Sequence, residues 1–285
     1  MARVRLGSSL AVIVLVLVLV LGACSSGATT APITSSPPAT PGVAGSAGPA
    51  ANLTIYGAAS LKGALDTAKA TYEAANAGRS LTISTDSSAT LETQIEQGAP
   101  VDVFLSADTT NPKKLVDTGL AAGAAVPFAA NKLTIVVPTA NLAGIRSPAD
   151  LARPGVKIVA AGDAVPITKY ATQLVTNLAK QPAYPAGFAA SYASNVVSKE
   201  DNVKAIIAKI ELGEGDAGIV YVTDAKASTK VATIDVPDAA NVPATYAGVV
   251  VKGSANVAAA QAFLTWFAGP AGQAILAGYG FLPPQ

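Results

Sequence analysis

Over residues 51–285 short apolar runs alternate with longer amphipathic stretches, and this alternation narrows the possible folds more than any other feature of the chain. Leu53 to Tyr56, Leu81 to Ser84, Val101 to Leu105, Leu133 to Val137, Lys157 to Ala160, Gly218 to Val222 and Ala247 to Val251 read as buried strands. Between them, Ser60 to Ala77, Leu91 to Gln97, Asn111 to Thr118, Thr168 to Lys180 and Asn202 to Leu212 read as helices, the last with Val203, Ile206, Ile207 and Ile210 on one face. Strand–helix alternation predicts an α/β fold with mixed, mostly parallel sheets flanked by helices. No internal repeat and no second low-complexity linker divides this stretch, so two lobes, if formed, are joined through strands.

The upstream residues follow other rules. Arg3 and Arg5 precede an unbroken apolar run from Leu10 to Leu21, then Gly22, Ala23 and Cys24. A membrane-spanning helix needs about 20 apolar residues, so this shorter run fits a signal peptide over 1–23. Leu21-Gly22-Ala23-Cys24 resembles the lipobox of bacterial lipoproteins, which implies lipidation of Cys24 as the new N-terminus and a place on the extracytoplasmic face of the cell membrane. Residues 24–50 are built almost wholly of Ala, Pro, Ser, Thr and Gly without charge; they offer too little apolar surface to offset chain entropy and read as a disordered tether. As a coil the tether reaches roughly 28 Å.

Composition then removes whole classes of chemistry. The chain has no histidine, which excludes a Ser/His/Asp or Cys/His nucleophile pair and an HExxH zinc site. With Cys24 alone there is no internal disulfide, CxxC pair or thiolate cluster. Without the signal peptide, 17 basic and 18 acidic residues leave a charge of −1, so there is no basic stripe for nucleic acid.

Gly213, Gly215 and Gly218 spell GxGxxG, but a helix precedes them and a strand follows, the reverse of a dinucleotide site; they read as a helix C-cap and a tight turn. Carboxylates such as Asp163, Glu200 and Asp201 read as helix-start charges. A different pattern recurs. Ser60, the pair Ser87 and Ser88, Pro166 with Ile167, and Asp201-Asn202-Val203 each stand where a strand turns into a helix. Helix N-termini expose unpaired N–H groups and partial positive charge, so several meeting in one cleft make an oxyanion site without Lys or Arg. Each serine capping only its own helix is the alternative.

At these junctions the chain resembles the substrate-binding lipoproteins and periplasmic proteins of molybdate ABC transporters. The matching strings are Gly57-Ala58-Ala59-Ser60-Leu61, Gly98 to Asp108 (GAPVDVFLSAD), Gly162-Asp163, Val165-Pro166, Tyr170-Ala171, Gly218 to Ala225 (GIVYVTDA) and Tyr279-Gly280-Phe281, spread over residues 52–281. The resemblance implies a two-lobed periplasmic-binding-protein-like fold of type II with the ligand cleft between lobes, lobe I over 51–130 and 247–285 and lobe II over 131–246. It implies a molybdate or tungstate ligand, no cofactor, no catalysis, no direct metal ligand and a monomer that delivers its cargo to a permease with separate ATPase subunits. The implied ligands are the hydroxyls and N–H groups of Ser60 and Ser88, the N–H groups of Ile167 and Val203, and the Tyr221 phenol. The loop before Ile167 is shorter than in the family, which leaves Thr168 as the alternative donor and puts Lys169 near the site.

Molybdate is a fully ionised dianion at neutral pH and needs donors only, whereas phosphate keeps a proton and calls for an acceptor. None of the five residues is a carboxylate; Asp86 reverses that preference if it faces the ligand. Sulfate has the same charge and donors, and only the resemblance selects against it. Closure about segments near Ala130 to Leu133 and Thr245 to Ala247 is the expected motion. A serine-dependent secreted enzyme with a lysine base, and a cell-wall lipoprotein without ligand, are the alternatives from other classes.

Overall fold

A computed structural model describes residues 51–284; the expected signal peptide (1–23), Cys24 and the tether (24–50) lie outside the described residues. The chain begins with β1 (Asn52–Ala58), which buries Leu53 and Ile55, then a 3-10 turn at Ala59–Leu61 and α1 (Lys62–Ala75). Ala64, Leu65, Ala68 and Tyr72 form the buried stripe of α1, at the spacing of one helix face. Two further strand–helix units follow: β2 (Ser80–Asp86) with α2 (Ser88–Glu96), and β3 (Val103–Ser106) with α3 (Thr110–Asp117). β4 (Val126–Asn131) runs directly into β5 (Leu133–Pro138) through Lys132.

From β5 the chain builds a second layer set: β6 (Ile158–Ala161), α4 (Pro166–Ala179), α5 (Phe188–Ser194), β7 (Val196–Glu200), α6 (Val203–Glu211), β8 (Gly218–Tyr221), α7 (Val222–Lys226) and β9 (Val231–Ile234). It then returns as β10 (Ala244–Val250), followed by α8 (Val257–Ala268) and α9 (Pro270–Gly278).

β1 to β4 and β10 form one five-stranded sheet in the order β2-β1-β3-β10-β4. β5, β8 and β9 form a three-stranded sheet, and β6 pairs with β7; a bridge from Ile158 to Ala217 links these two. The result is two lobes, each a sheet with helices packed on it. The β1–β2, β1–β3 and β6–β7 ladders are parallel, and those of β4, β5, β8, β9 and β10 are antiparallel, so the sheets are mixed, with fewer parallel ladders than strand–helix alternation predicts. The reason is the crossing itself: β4 leaves the first sheet and β10 re-enters beside it, and an outbound and an inbound strand side by side run in opposite directions.

The return passage occupies residues 235–243, ahead of the expected Thr245 to Ala247, because Thr245 and Tyr246 already pair with Ala130 and Ala129 in the first sheet. Asn241 ties the two passages together: it accepts from the Leu133 N–H (3.0 Å) and donates to the Leu133 carbonyl (2.8 Å). The glycine string is structural, as its order predicts. Gly213 takes φ 72° at the end of α6, and a Cβ on Gly218 would stand 2.6 Å from Ile206 Cγ2, so the bare backbone is what lets α6 lie on β8.

Candidate functional site

Strand ends and helix starts from both lobes meet at one cleft. The junction after β1 places Ser60, β2 leads through Ser87 into Ser88, β6 leads through Val165 into Ile167, and β7 leads through Asn202 into Val203. Ser60, Ser88, Ile167, Val203 and Tyr221 line a single cavity, with Asp86, Ser87 and Asn202 beside them. Tyr221 arrives from the end of β8, where its ring packs between Tyr170 (6.4 Å between centroids) and Tyr246 (5.7 Å).

The donors in this cavity are free for structural reasons. Ser88 and Val203 are the first residues of α2 and α6, and Ile167 is the second of α4, so none of their N–H groups has an acceptor within its own helix. Ser88 Oγ accepts from the Ala107 N–H at 3.0 Å, and its own proton remains to be donated. Ser60 Oγ lies 2.9 Å from Tyr246 Oη. The hydroxyls of Ser87 and Tyr221 are buried and have no partner within the protein, an arrangement native interiors rarely tolerate without a ligand. Burial, then the neighbouring Tyr246, Tyr170, Asp224 and Asp108, push the Tyr221 phenol well above its ordinary value, so it stays protonated and able to donate.

Charged groups are turned elsewhere. Asp86 lines the cavity, but its Oδ1 accepts from Asn202 Nδ2 (3.0 Å) and from the Ser87 N–H (2.7 Å). Lys169 does not line the cavity; its Nζ reaches Thr110 Oγ1 (3.2 Å). Lys204 turns to the buried Asp224 (2.9 Å), and Lys62 pairs with Asp66 (2.8 Å) on the surface, away from Ser60. Thr168 also points away: its N–H binds the Val165 carbonyl and its hydroxyl the carbonyls of Ala161 and Gly162. Among the described residues no group of His, Cys, Asp or Glu is placed to hold a metal ion. Asp102 and Asp108, the acids of the GAPVDVFLSAD string, bind their own fold: Asp102 accepts from the Thr54 N–H and Ser254, Asp108 from Ser106 and Asn111.

The sequence places Ser87 and Ser88 at the same junction, and the family resemblance implies only Ser88 as a ligand, yet both line the cavity. Sequence reasoning missed Tyr246, whose partner Ser60 is 186 positions away, so no local pattern reveals it. With unpaired N–H groups and hydroxyls in its lining, no Lys or Arg, and its one carboxylate, Asp86, engaged by Asn202 and Ser87, the cavity suits an anion held by neutral donors.

Residues 53–282 match the family of bacterial extracellular solute-binding proteins. The molybdate-binding protein ModA of Mycobacterium tuberculosis (strain ATCC 25618 / H37Rv) is 35% identical over 280 residues, covering 98% of this chain and 99% of the relative. Among solved structures, the Azotobacter vinelandii periplasmic molybdate-binding protein has a TM-score of 0.69 at 26% identity and is covered to 100%, against 82% of this chain. The sulfate-binding protein SubI from Mycobacterium tuberculosis H37Rv has a TM-score of 0.71 at 21% identity, with coverage of 81% of this chain and 86% of that one. That identity speaks to the shared fold and not to the ligand.

Proposed function

The chain belongs to the family of bacterial extracellular solute-binding proteins, and on that premise we propose that it captures molybdate, or tungstate, in the cleft between its lobes and hands it to an ABC permease. The observation that carries this reading is the convergence of three helix N-termini and four hydroxyls on one cavity with no cation in its lining. Fixed N–H and O–H donors suit a tetrahedral dianion that carries no proton. The 35% identity to a molybdate-binding relative over nearly the whole of both chains supports molybdate over sulfate.

In this reading Ser60, Ser88, Ile167, Val203 and Tyr221 are the ligands, Ser87 is a sixth donor, and the protein binds without turnover as a monomer. The expected lobes, 51–130 with 247–285 and 131–246, then divide at Lys132 and at the passage over 235–243, with Asn131 and residues 244–246 on the side of the first sheet, and move about these two passages; Asn202 to Asp86 and Lys169 to Thr110 are contacts that join the lobes when the cleft is shut. Closure on a ligand is the usual hinge motion of such proteins. Cys24 carries the lipid that holds the protein at the cell membrane. Replacing Cys24 by Ser is expected to move the protein from the membrane fraction to the soluble one, and retention in the membrane fraction contradicts the anchor. Thermal unfolding with and without oxyanions tests the function: a ligand at a hundredfold its Kd adds about 2.7 kcal/mol, so molybdate is expected to raise the melting temperature by several degrees. No shift with any oxyanion contradicts the reading.

A further inference from the structure

Ser60 differs from the other cleft hydroxyls in having a buried chain of hydrogen bonds behind it. The chain starts at Asn131, whose Oδ1 accepts from the Lys132 N–H at 3.0 Å. A backbone N–H only donates, so this contact fixes the amide's orientation and turns Nδ2 toward Thr223 Oγ1 (2.8 Å) and Tyr246 Oη (3.5 Å). Nδ2 also only donates. Tyr246 Oη therefore receives from Asn131, and its single proton goes to its other neighbour, Ser60 Oγ, at 2.9 Å. Tyr246, Asn131 and Thr223 are all buried, so water does not compete for these positions. Burial, and then the negative charge of Asp224, hold the Tyr246 phenol protonated.

Once Ser60 Oγ accepts from Tyr246, the Ser60 proton points toward the cavity. Ser88 reaches the same state by another route, since its Oγ accepts from the Ala107 N–H. Both serines then face the ligand with a proton to donate, each held by a hydrogen bond accepted from behind.

We propose that Tyr246 is a positioning residue that holds the Ser60 hydroxyl as an outward donor to the ligand. The proposal rests on the reading of the cleft as an oxyanion site.

Calorimetric titration of the wild type, Ser60→Ala, Tyr246→Phe and the double variant with molybdate, tungstate, sulfate and phosphate tests it. Phe keeps the ring that packs on Phe128 and Phe281, so only the hydroxyl is lost. Tyr246→Phe is expected to weaken molybdate binding about tenfold in the wild-type background, the scale of one hydrogen bond to a charged group, and by less than twofold when Ser60 is already Ala. Any misfolded fraction lowers the binding stoichiometry and leaves the affinity of the folded fraction, from which the coupling is read, untouched. An undiminished Tyr246→Phe effect in the Ser60→Ala background, or no effect at all, overturns the proposal. If the wild type binds sulfate and not molybdate, the assignment of cargo fails while the cycle is read with sulfate; if it binds no oxyanion, both fail together.

Discussion

At the scale of single residues, the informative groups are those left without partners. A buried hydroxyl lacking a hydrogen bond costs about 1–3 kcal/mol, and the cleft holds two, on Ser87 and Tyr221. In the proposed function a bound oxyanion completes them. Tyr221→Phe is accordingly expected to weaken molybdate binding by about 1–3 kcal/mol while leaving the ligand-free melting temperature unchanged or slightly raised, since no internal bond is lost. Ser88→Ala should cost a similar amount of binding and also some stability, because Ser88 Oγ satisfies the Ala107 N–H. Titration paired with melting curves separates the two patterns. That Ser60, Ser88, Ile167, Val203 and Tyr221 meet in one cavity was legible because each stands at a strand–helix junction or strand end that also matches the family's strings. Ser87 was ambiguous, as adjacent serines at one helix start differ only in the direction each side chain takes. Tyr246 was illegible, because its meaning comes from the crossing strand β10 being brought beside the turn that holds Ser60.

At the scale of elements, α6 shows how one residue serves both helix and cleft. Asn202 Oδ1 caps the helix by accepting from the Ala205 N–H at 3.1 Å, and its Nδ2 reaches Asp86 in the other lobe. Asn202→Ala is expected to lower stability by about 1 kcal/mol through loss of the cap and to weaken ligand binding as well. Asn202→Asp keeps the cap but sets a carboxylate against Asp86, so it should leave ligand-free stability near that of the wild type and still weaken binding. Equal behaviour of the two variants would contradict a separate part for Nδ2. α1, α2, α3, α4 and α6 were legible from their apolar stripes. α8 and α9 were not read as helices: with segments such as Val257-Ala258-Ala259-Ala260 and Ala274-Ile275-Leu276-Ala277 they are apolar almost all round and give little contrast between faces. β4 was missed because Pro127, Ala129, Ala130 and Asn131 have low strand preference, and it is tertiary pairing with β10 that makes them a strand.

At the scale of the whole molecule, the fold is a way of bringing helix starts from two sheets to one point. Two passages, Lys132 and residues 235–243, join the first sheet to the sheet of β5, β8 and β9, and Asn241 fastens one passage to the other at Leu133. The two-lobed α/β class was legible from strand–helix alternation and the family's strings; the share of antiparallel pairing was not, because it follows from how the crossing strands re-enter, which no local run of residues encodes. A cleft whose lining holds no cation, with Lys62, Lys169 and Lys204 all bonded elsewhere, makes one claim about ligand choice. Isothermal titration of residues 51–285 with molybdate, tungstate, sulfate and phosphate tests it most directly: submicromolar binding of molybdate and tungstate at one site per chain is predicted, and binding of sulfate or phosphate alone contradicts it.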